Sequence, residues 1–357
     1  MSPKIRKKDP CPCGSGKKYK DCCFRKERPS KDDPSQVHNQ PRGEKLEELL
    51  EGQDVLEKLG GILRDLQTEG GFQKCLEDMW DSKKVAKMST QKIVEKLELL
   101  NVHFDEEQFR EQAQDYISAI ELAEDHYYTQ DFTAEGYDED FIWLAIIELW
   151  KRLISDKANL EMIDDAILDG HDDLGYGDYT NGLKEWEAAW NMIKTVFPPE
   201  ITAIEKTDEY INSFPVFKLT YSLSNWCQDF EVKLYNGGLE DKSWVTGRIT
   251  YAQEFCERFP DTDRAVLQNM LRAEAESYAI VGDIEKAENL FELLTKRFPD
   301  EANLYIAWGD IYWKINVIPL DYEKAEKIYR SGLDHCPAER DRIYERLKKL
   351  EKEKGEI

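Results

Sequence analysis

Histidine is scarce in this chain of 357 residues, and the shortage removes whole classes of chemistry. The five histidines, His38, His103, His126, His171 and His335, form no H-E-x-x-H pair and no other local pattern with metal-ligand spacing. A G-x-S-x-G elbow is missing, as is any nucleophile with an evident base, so no enzyme is expected. Long apolar runs are also missing. The longest strongly apolar stretch, Phe141–Ile147, falls far short of the ~20 residues that cross a bilayer. The first residues are charged with no apolar region after them, so a secretory signal is not expected and the reading is cytoplasmic. Period-two alternation does not occur, which leaves an all-α reading. Positive charge is in deficit: 49 Lys and Arg stand against 73 Asp and Glu, a net of −24. Such a balance argues against nucleic acid as the ligand of the main body, because counterion release needs a basic surface.

Cysteine is sparse overall yet concentrated at one place. Four of the eight cysteines fall in CPCGSGKKYKDCC, from Cys11 to Cys23. The spacing C-x-C-x8-C-C lets two close pairs fold back around one tetrahedral cation, and four thiolates suit a closed structural Zn²⁺ site. So short a segment buries no core of its own, so metal binding must supply most of its folding free energy. Pro12 stiffens the first ligand pair, while Gly14 and Gly16 allow sharp turns. Lys17, Lys18 and Lys20 lower the thiol pKa values and favour the ligating thiolates. A disulfide arrangement is the alternative: adjacent Cys22 and Cys23 would bridge each other only with strain, cross-pairs to Cys11 and Cys13 are conceivable, and a reducing cytosol opposes both. The words GSGKK suggest a phosphate loop. Lys18 stands where Ser or Thr is required, however, and no apolar strand precedes it.

These residues resemble the SEC-C motif, the small zinc-binding module of the C-terminal tail of the SecA translocation ATPase. Cys11, Cys13, Gly14, Ser15, Gly16, Lys18, Tyr19, Lys20, Cys22 and Cys23 all fit the pattern C-x-C-G-S-G-x-K-[YF]-K-x-C-[CH]. The fourth ligand is Cys23 where histidine is common in SecA, and Phe24 stands where glycine often follows. The resemblance covers about 20 residues and implies a metal-stabilised docking module, which in SecA contacts the chaperone SecB and the ribosome. Lys17, Lys18, Tyr19 and Lys20 are the docking candidates.

Charge is split along the chain. Residues 1–28 hold ten basic against three acidic side chains, a net of +7, whereas the rest carries 39 against 70, a net of −31. A basic head either seeks a polyanion, such as ribosomal RNA, or folds back on its own acidic body. Residues 29–44 read as a flexible linker, with three prolines and almost no large apolar side chains in PSKDDPSQVHNQPRG. Helical periodicity begins at residue 45. Leu46, Leu49, Leu50, Leu56, Leu59, Leu63 and Leu66 share one face, and amphipathic segments follow at about 90–100, 106–128, 138–155, 160–169 and 181–197. The acidic stretch Ile167–Asp178 reads as a solvated loop between helices. A cation held by Asp169, His171, Asp172, Asp173 and Asp178 is the alternative. Cys75, Cys227, Cys256 and Cys336 are scattered and read as small apolar residues.

The last third repeats itself. RFPD occurs at Arg258–Asp261 and at Arg297–Asp300, a step of 39 residues, and Pro337 lies 38 beyond Pro299. Each proline ends an amphipathic helix, and paired helices at such a period are the mark of a solenoid. Ala275, Tyr278, Gly282, Asp283, Ala287, Phe291 and Pro299, followed by Trp308, Gly309, Tyr312, Ala325, Tyr329 and Pro337, resemble tetratricopeptide repeats with an insertion near Val317–Leu320. The sequence thus predicts an all-α, tetratricopeptide-like solenoid preceded by a zinc knuckle. Its divisions are a knuckle at 1–28, a linker at 29–44, a divergent helical region at 45–245, and repeats with a capping helix at 246–357. Asn269, Arg272, Asn303, Tyr305 and Asp310 are the candidates for a peptide-binding groove. The expected role is a bacterial zinc-containing adaptor. The alternatives are a regulatory or defence-type protein whose head touches nucleic acid, and a hydrolase within 45–245.

Overall fold

The computed structural model describes residues 79–315 and 320–355. The cysteine segment, the linker, the leucine-rich stretch from Leu46 to Leu66, Cys75 and residues 317–319 of the expected insertion lie outside them. Among the described residues every regular element is helical, with fifteen α-helices and two 3₁₀ turns. No helix there is long and apolar enough to cross a membrane.

The chain divides into two compact units. Of the described residues, one unit takes 79–109 with Ala123–Leu153, the other Arg110–Leu122 with 154–315 and 320–355. The first contains α1 (Ser82–Ala86), α2 (Thr90–Leu99), α5 (Tyr137–Leu153), and parts of α3 (Glu106–Gln112) and α4 (Ala119–His126). Asp81 and Ser89 cap α1 and α2 by accepting from Lys84 N (2.7 Å) and Lys92 N (3.3 Å). α5 packs against α1 and α2. Its Arg152 donates to the carbonyls of Met88 (2.9 Å) and Ala86 (3.1 Å), which closes the end of α1. Phe109 meets Trp150 edge-on at 6.4 Å in this core.

The second unit carries the remaining helices: α6 (Leu160–Gly175), α7 (Tyr179–Val196), α8 (Ile204–Asn212), α9 (Leu223–Gly238), α10 (Ser243–Arg258), α11 (Arg264–Val281), α12 (Ile284–Arg297), α13 (Ala302–Asp310), α14 (Tyr322–His335) and α15 (Arg340–Gly355). From α9 onward each helix packs on its successor. In addition α9 touches α11, α11 touches α13 and α13 touches α15, so every second helix forms a row. Gly282, with φ of +92°, turns the chain between α11 and α12. Asp283 and Asp321 then cap α12 and α14 by accepting from Lys286 N (3.2 Å) and Lys324 N (2.9 Å). The repeated prolines do end helices: α10, α12 and α14 stop at Arg258, Arg297 and His335, each two residues before its proline.

Two expectations need correction. The segment 106–128 is not one helix, because the chain breaks after a 3₁₀ turn at Ala113–Asp115 and restarts at Ala119. The buried Glu161 carboxylate makes the restart: it accepts from Ser118 Oγ (2.6 Å), Ala119 N (2.9 Å) and Ile120 N (3.0 Å), satisfying the orphan donors of α4. The acidic stretch Ile167–Asp178 is not a loop either. Helix α6 runs through it to Gly175, because Ile163, Ile167, Gly170 and Leu174 continue one buried face. Gly170 and Gly182 let α6 and α7 approach: a Cβ on Gly170 would overlap the Trp186 ring, and one on Gly182 would strike Leu174. Helices α8 and α9 were not anticipated.

Candidate functional site

Two regions of the chain are candidates, the cysteine segment and the row of alternate helices. Cys11, Cys13, Cys22 and Cys23, with Lys17, Lys18, Tyr19 and Lys20, lie outside the described residues. Among the described residues no group of three or more His, Cys, Asp or Glu side chains is arranged to hold a metal ion. Within the acidic stretch, His171 stacks on Tyr221 at 5.3 Å and Asp178 caps α7 through Asn181 N at 3.3 Å. Asp169 and Asp173 add to burial in raising the Glu185 carboxyl above its ordinary pKa. The thiols of Cys227 and Cys336 are buried. Burial, with help from Glu274, pushes Cys256 up to about 12, so it stays protonated.

The row of α9, α11, α13 and α15 holds all five groove candidates on α11 and α13. Arg272 on α11 is half-buried, and its Nη1 donates to Glu276 Oε1 at 2.6 Å. Glu276 Oε2 in turn accepts from Arg248 Nη2 at 3.0 Å. Arg248, on α10, donates through Nε to Glu231 Oε1 on α9 at 2.6 Å and through Nη1 to Ser277 Oγ at 3.1 Å. Two guanidinium groups and two carboxylates thus alternate across three helices, each satisfied by the next. Burial raises the Glu276 carboxyl, but Arg272 and Arg248 more than offset that, and its pKa lies below the ordinary carboxylate value.

The other candidates are spent differently. Asn269 is half-buried on α11. Asn303 donates to Glu301 Oε1 at 2.9 Å and accepts from Arg342 of α15. Tyr305 is buried, its hydroxyl donating to the Pro299 carbonyl at 3.2 Å and its ring stacked on His335 at 5.9 Å. Asp310 gathers Tyr329 Oη, Lys314 Nζ (3.2 Å) and an Arg346 guanidinium nitrogen (3.0 Å). Burial nonetheless raises its pKa. Arg272, Asn303, Tyr305 and Asp310 are therefore each engaged by neighbouring polar groups. Sequence reasoning found Arg272 but missed Arg248, Glu231 and Glu276. The available signal was a charge at a core step of the period, since Arg248 falls between buried Val245 and Ala252.

Comparison with known proteins bears on the cysteine segment. Residues 8–25 match the SEC-C motif family. Over 20 residues the chain is 80% identical to "Protein translocase subunit SecA" of Azobacteroides pseudotrichonymphae genomovar. CFP2, which is 6% of this chain and 2% of that protein. The chain thus spans a very small part of that relative's length. No solved structure matches. The segment at residues 8–25 matches the SEC-C motif, and the regular elements of the described residues are all helical.

Proposed function

We propose that this chain is a zinc-containing interaction adaptor, in which the SEC-C motif docks one partner and the helical row receives another as a peptide or protein segment. The observation that carries the reading is the match at residues 8–25, with four thiols in register and lysines between them. Cys11, Cys13, Cys22 and Cys23 fit a structural zinc by the chemistry of the donor set: four soft thiolates leave no open position for a reacting water. Bound there, zinc supplies folding free energy to a segment too short for a core of its own. The curated relative is a translocase subunit, which favours a ribosome or an export chaperone as the docked partner in a bacterial cytoplasm. A tetratricopeptide-like solenoid is supported by the row of alternate helices and by the prolines that end α10, α12 and α14. A binding role rather than catalysis is supported by Arg272 and Asp310, which are engaged by neighbouring charges.

Metal analysis of the full chain tests the centre. One zinc per chain is expected for the wild type and none for the Cys22→Ser/Cys23→Ser double variant, with far-UV helicity unchanged. A variant that keeps one tightly bound zinc would sink the ligand assignment. Pull-downs with the intact chain and with residues 1–28 removed then identify the partner. The +7 charge of the head favours a second reading, contact with nucleic acid. That contact would weaken steeply with added salt, whereas a protein interface of mixed character would weaken little.

A further inference from the structure

We propose that the outward face of α9 docks an amphipathic helix of a protein partner, one whose apolar side chains are flanked by lysine or arginine. This goes beyond the groove reading, since none of Asn269, Arg272, Asn303, Tyr305 or Asp310 lies on α9. Val232, Tyr235 and Leu239 follow one another at steps of three and four along α9 and its C-cap, and so share a face. They are 48%, 40% and 70% exposed, where most large apolar residues of this unit are buried. Scattered apolar residues are ordinary on a surface, but a contiguous stripe on one helix marks an interaction site.

The stripe is held in place from behind. Arg248, only 2% exposed, sets its guanidinium 5.0 Å from the Tyr235 ring centroid, and Glu231, Glu276 and Ser277 lock that guanidinium. The helix itself has no room to shift. A Cβ on Gly237 would come within 2.6 Å of Leu183 Cδ1, and one on Gly238 within 2.7 Å of Val245 Cγ2. A rigid, exposed aromatic next to two aliphatic side chains is the form an anchor takes at protein interfaces, because little entropy is lost on binding.

Charge selects the partner. The exposed carboxylates Asp229, Glu240 and Asp241 bracket the stripe at its two ends. Lys233 is drawn away over the Tyr179 ring at 6.0 Å, which leaves Lys242 as the exposed cation of the segment 229–242. The flanks are therefore net negative, within a body whose net charge outside residues 1–28 is −31. Cations near the two ends of an apolar helix face would meet carboxylates at both ends of the stripe, and an acidic partner would be repelled.

Fluorescence anisotropy with the full chain tests this, using a labelled synthetic amphipathic peptide of leucine and lysine and its counterpart with glutamate in place of lysine. The lysine peptide should bind, and the glutamate peptide should not. The triple variant Val232→Ser/Tyr235→Ser/Leu239→Ser should weaken binding by roughly tenfold or more, with circular dichroism unchanged. The groove variant Asn269→Ala/Asn303→Ala should leave it unaltered. No binding of the lysine peptide, equal binding of both peptides, or wild-type affinity in the triple variant would each overturn the proposal. Loss of binding in the groove variant alone would overturn it as well, while supporting the groove.

Discussion

Between α6 and α11 indole and phenyl rings fill the core, with glycine crossings only at α6–α7 and the end of α9, whereas from α11 to α15 the helices close on alanine and glycine. In the first stretch Trp186, Trp190, Trp226, Phe230, Tyr251, Phe255 and Phe259 share one core. Trp226 stacks on Phe230 at 5.4 Å, and Trp190 meets Tyr251 at 4.9 Å. In the second, Ala275, Ala279, Ala287, Ala302 and Ala325 face Phe291, Tyr305 and Tyr329, and a Cβ on Gly309 would run into the Tyr329 ring. Close approach of backbones demands a small residue at each crossing, so the same step recurs in the sequence. Rings tolerate many mutual angles, so each aromatic contact is solved separately and leaves no repeat behind.

Four substitutions and one control bear on that contrast, in falling order of expected effect. Trp190→Ala should cost about 4 kcal/mol by urea unfolding, since it empties the centre of the aromatic core; a cost under about 1 kcal/mol would mean that the rings are not what holds this stretch. Arg248→Met should cost about 3 kcal/mol, because Glu231 is left buried without its cation. Gly309→Ala should cost about 2 kcal/mol, as the new methyl must displace Tyr329; an unchanged unfolding midpoint would show that the alanine-rich stretch yields more easily than its packing suggests.

The next effect depends on pH. The folded pKa of Glu276 is depressed, so its contribution is present above the unfolded value of about 4.3 and lost as pH falls through the folded one. Glu276→Gln should therefore flatten the acid limb of the stability profile. An identical acid limb in wild type and variant would remove Glu276 from the account. Asp300→Asn should leave the urea midpoint unmoved, because its pair with Arg264 is exposed on both sides.

The same contrast explains what was legible in the sequence. Ala275, Phe291, Gly309 and Tyr329 announced paired helices because close packing imposes a small–large rhythm, and Pro260, Pro299 and Pro337 marked the ends. Helix α9 went unread even though its buried residues Trp226, Cys227, Phe230 and Leu234 keep the period. Gly237 and Gly238 at its end resemble a turn until Leu183 and Val245 are known to press on them. The acidic residues of α6 read as a loop in the sequence because composition outweighs Ile163, Ile167 and Leu174 on the opposite face. Of the groove candidates, Arg272 was legible as a charge on a first helix, but Arg248, which shares Glu276 with it, comes from the neighbouring helix and shows in the sequence only as a charge at a core step. The SEC-C match at residues 8–25 was legible because its pattern rests on residue type and spacing alone.

Arg258 has a consequence in time. Its guanidinium donates to the carbonyls of Lys194 (3.2 Å), Phe197 (3.1 Å), Pro198 (3.2 Å) and Ile201 (2.7 Å), tying down the exit from α7. During synthesis those carbonyls emerge some sixty residues before the side chain that satisfies them. Until it arrives, the Pro198 carbonyl has Ile201 N as a local donor (3.1 Å) but the guanidinium that gathers all four carbonyls is missing, and the exit from α7 waits for the last residue of α10. Nascent chains stopped well short of residue 258 should be cut by protease between 194 and 201, and longer ones spared; equal cleavage of both would show that the exit orders without its arginine.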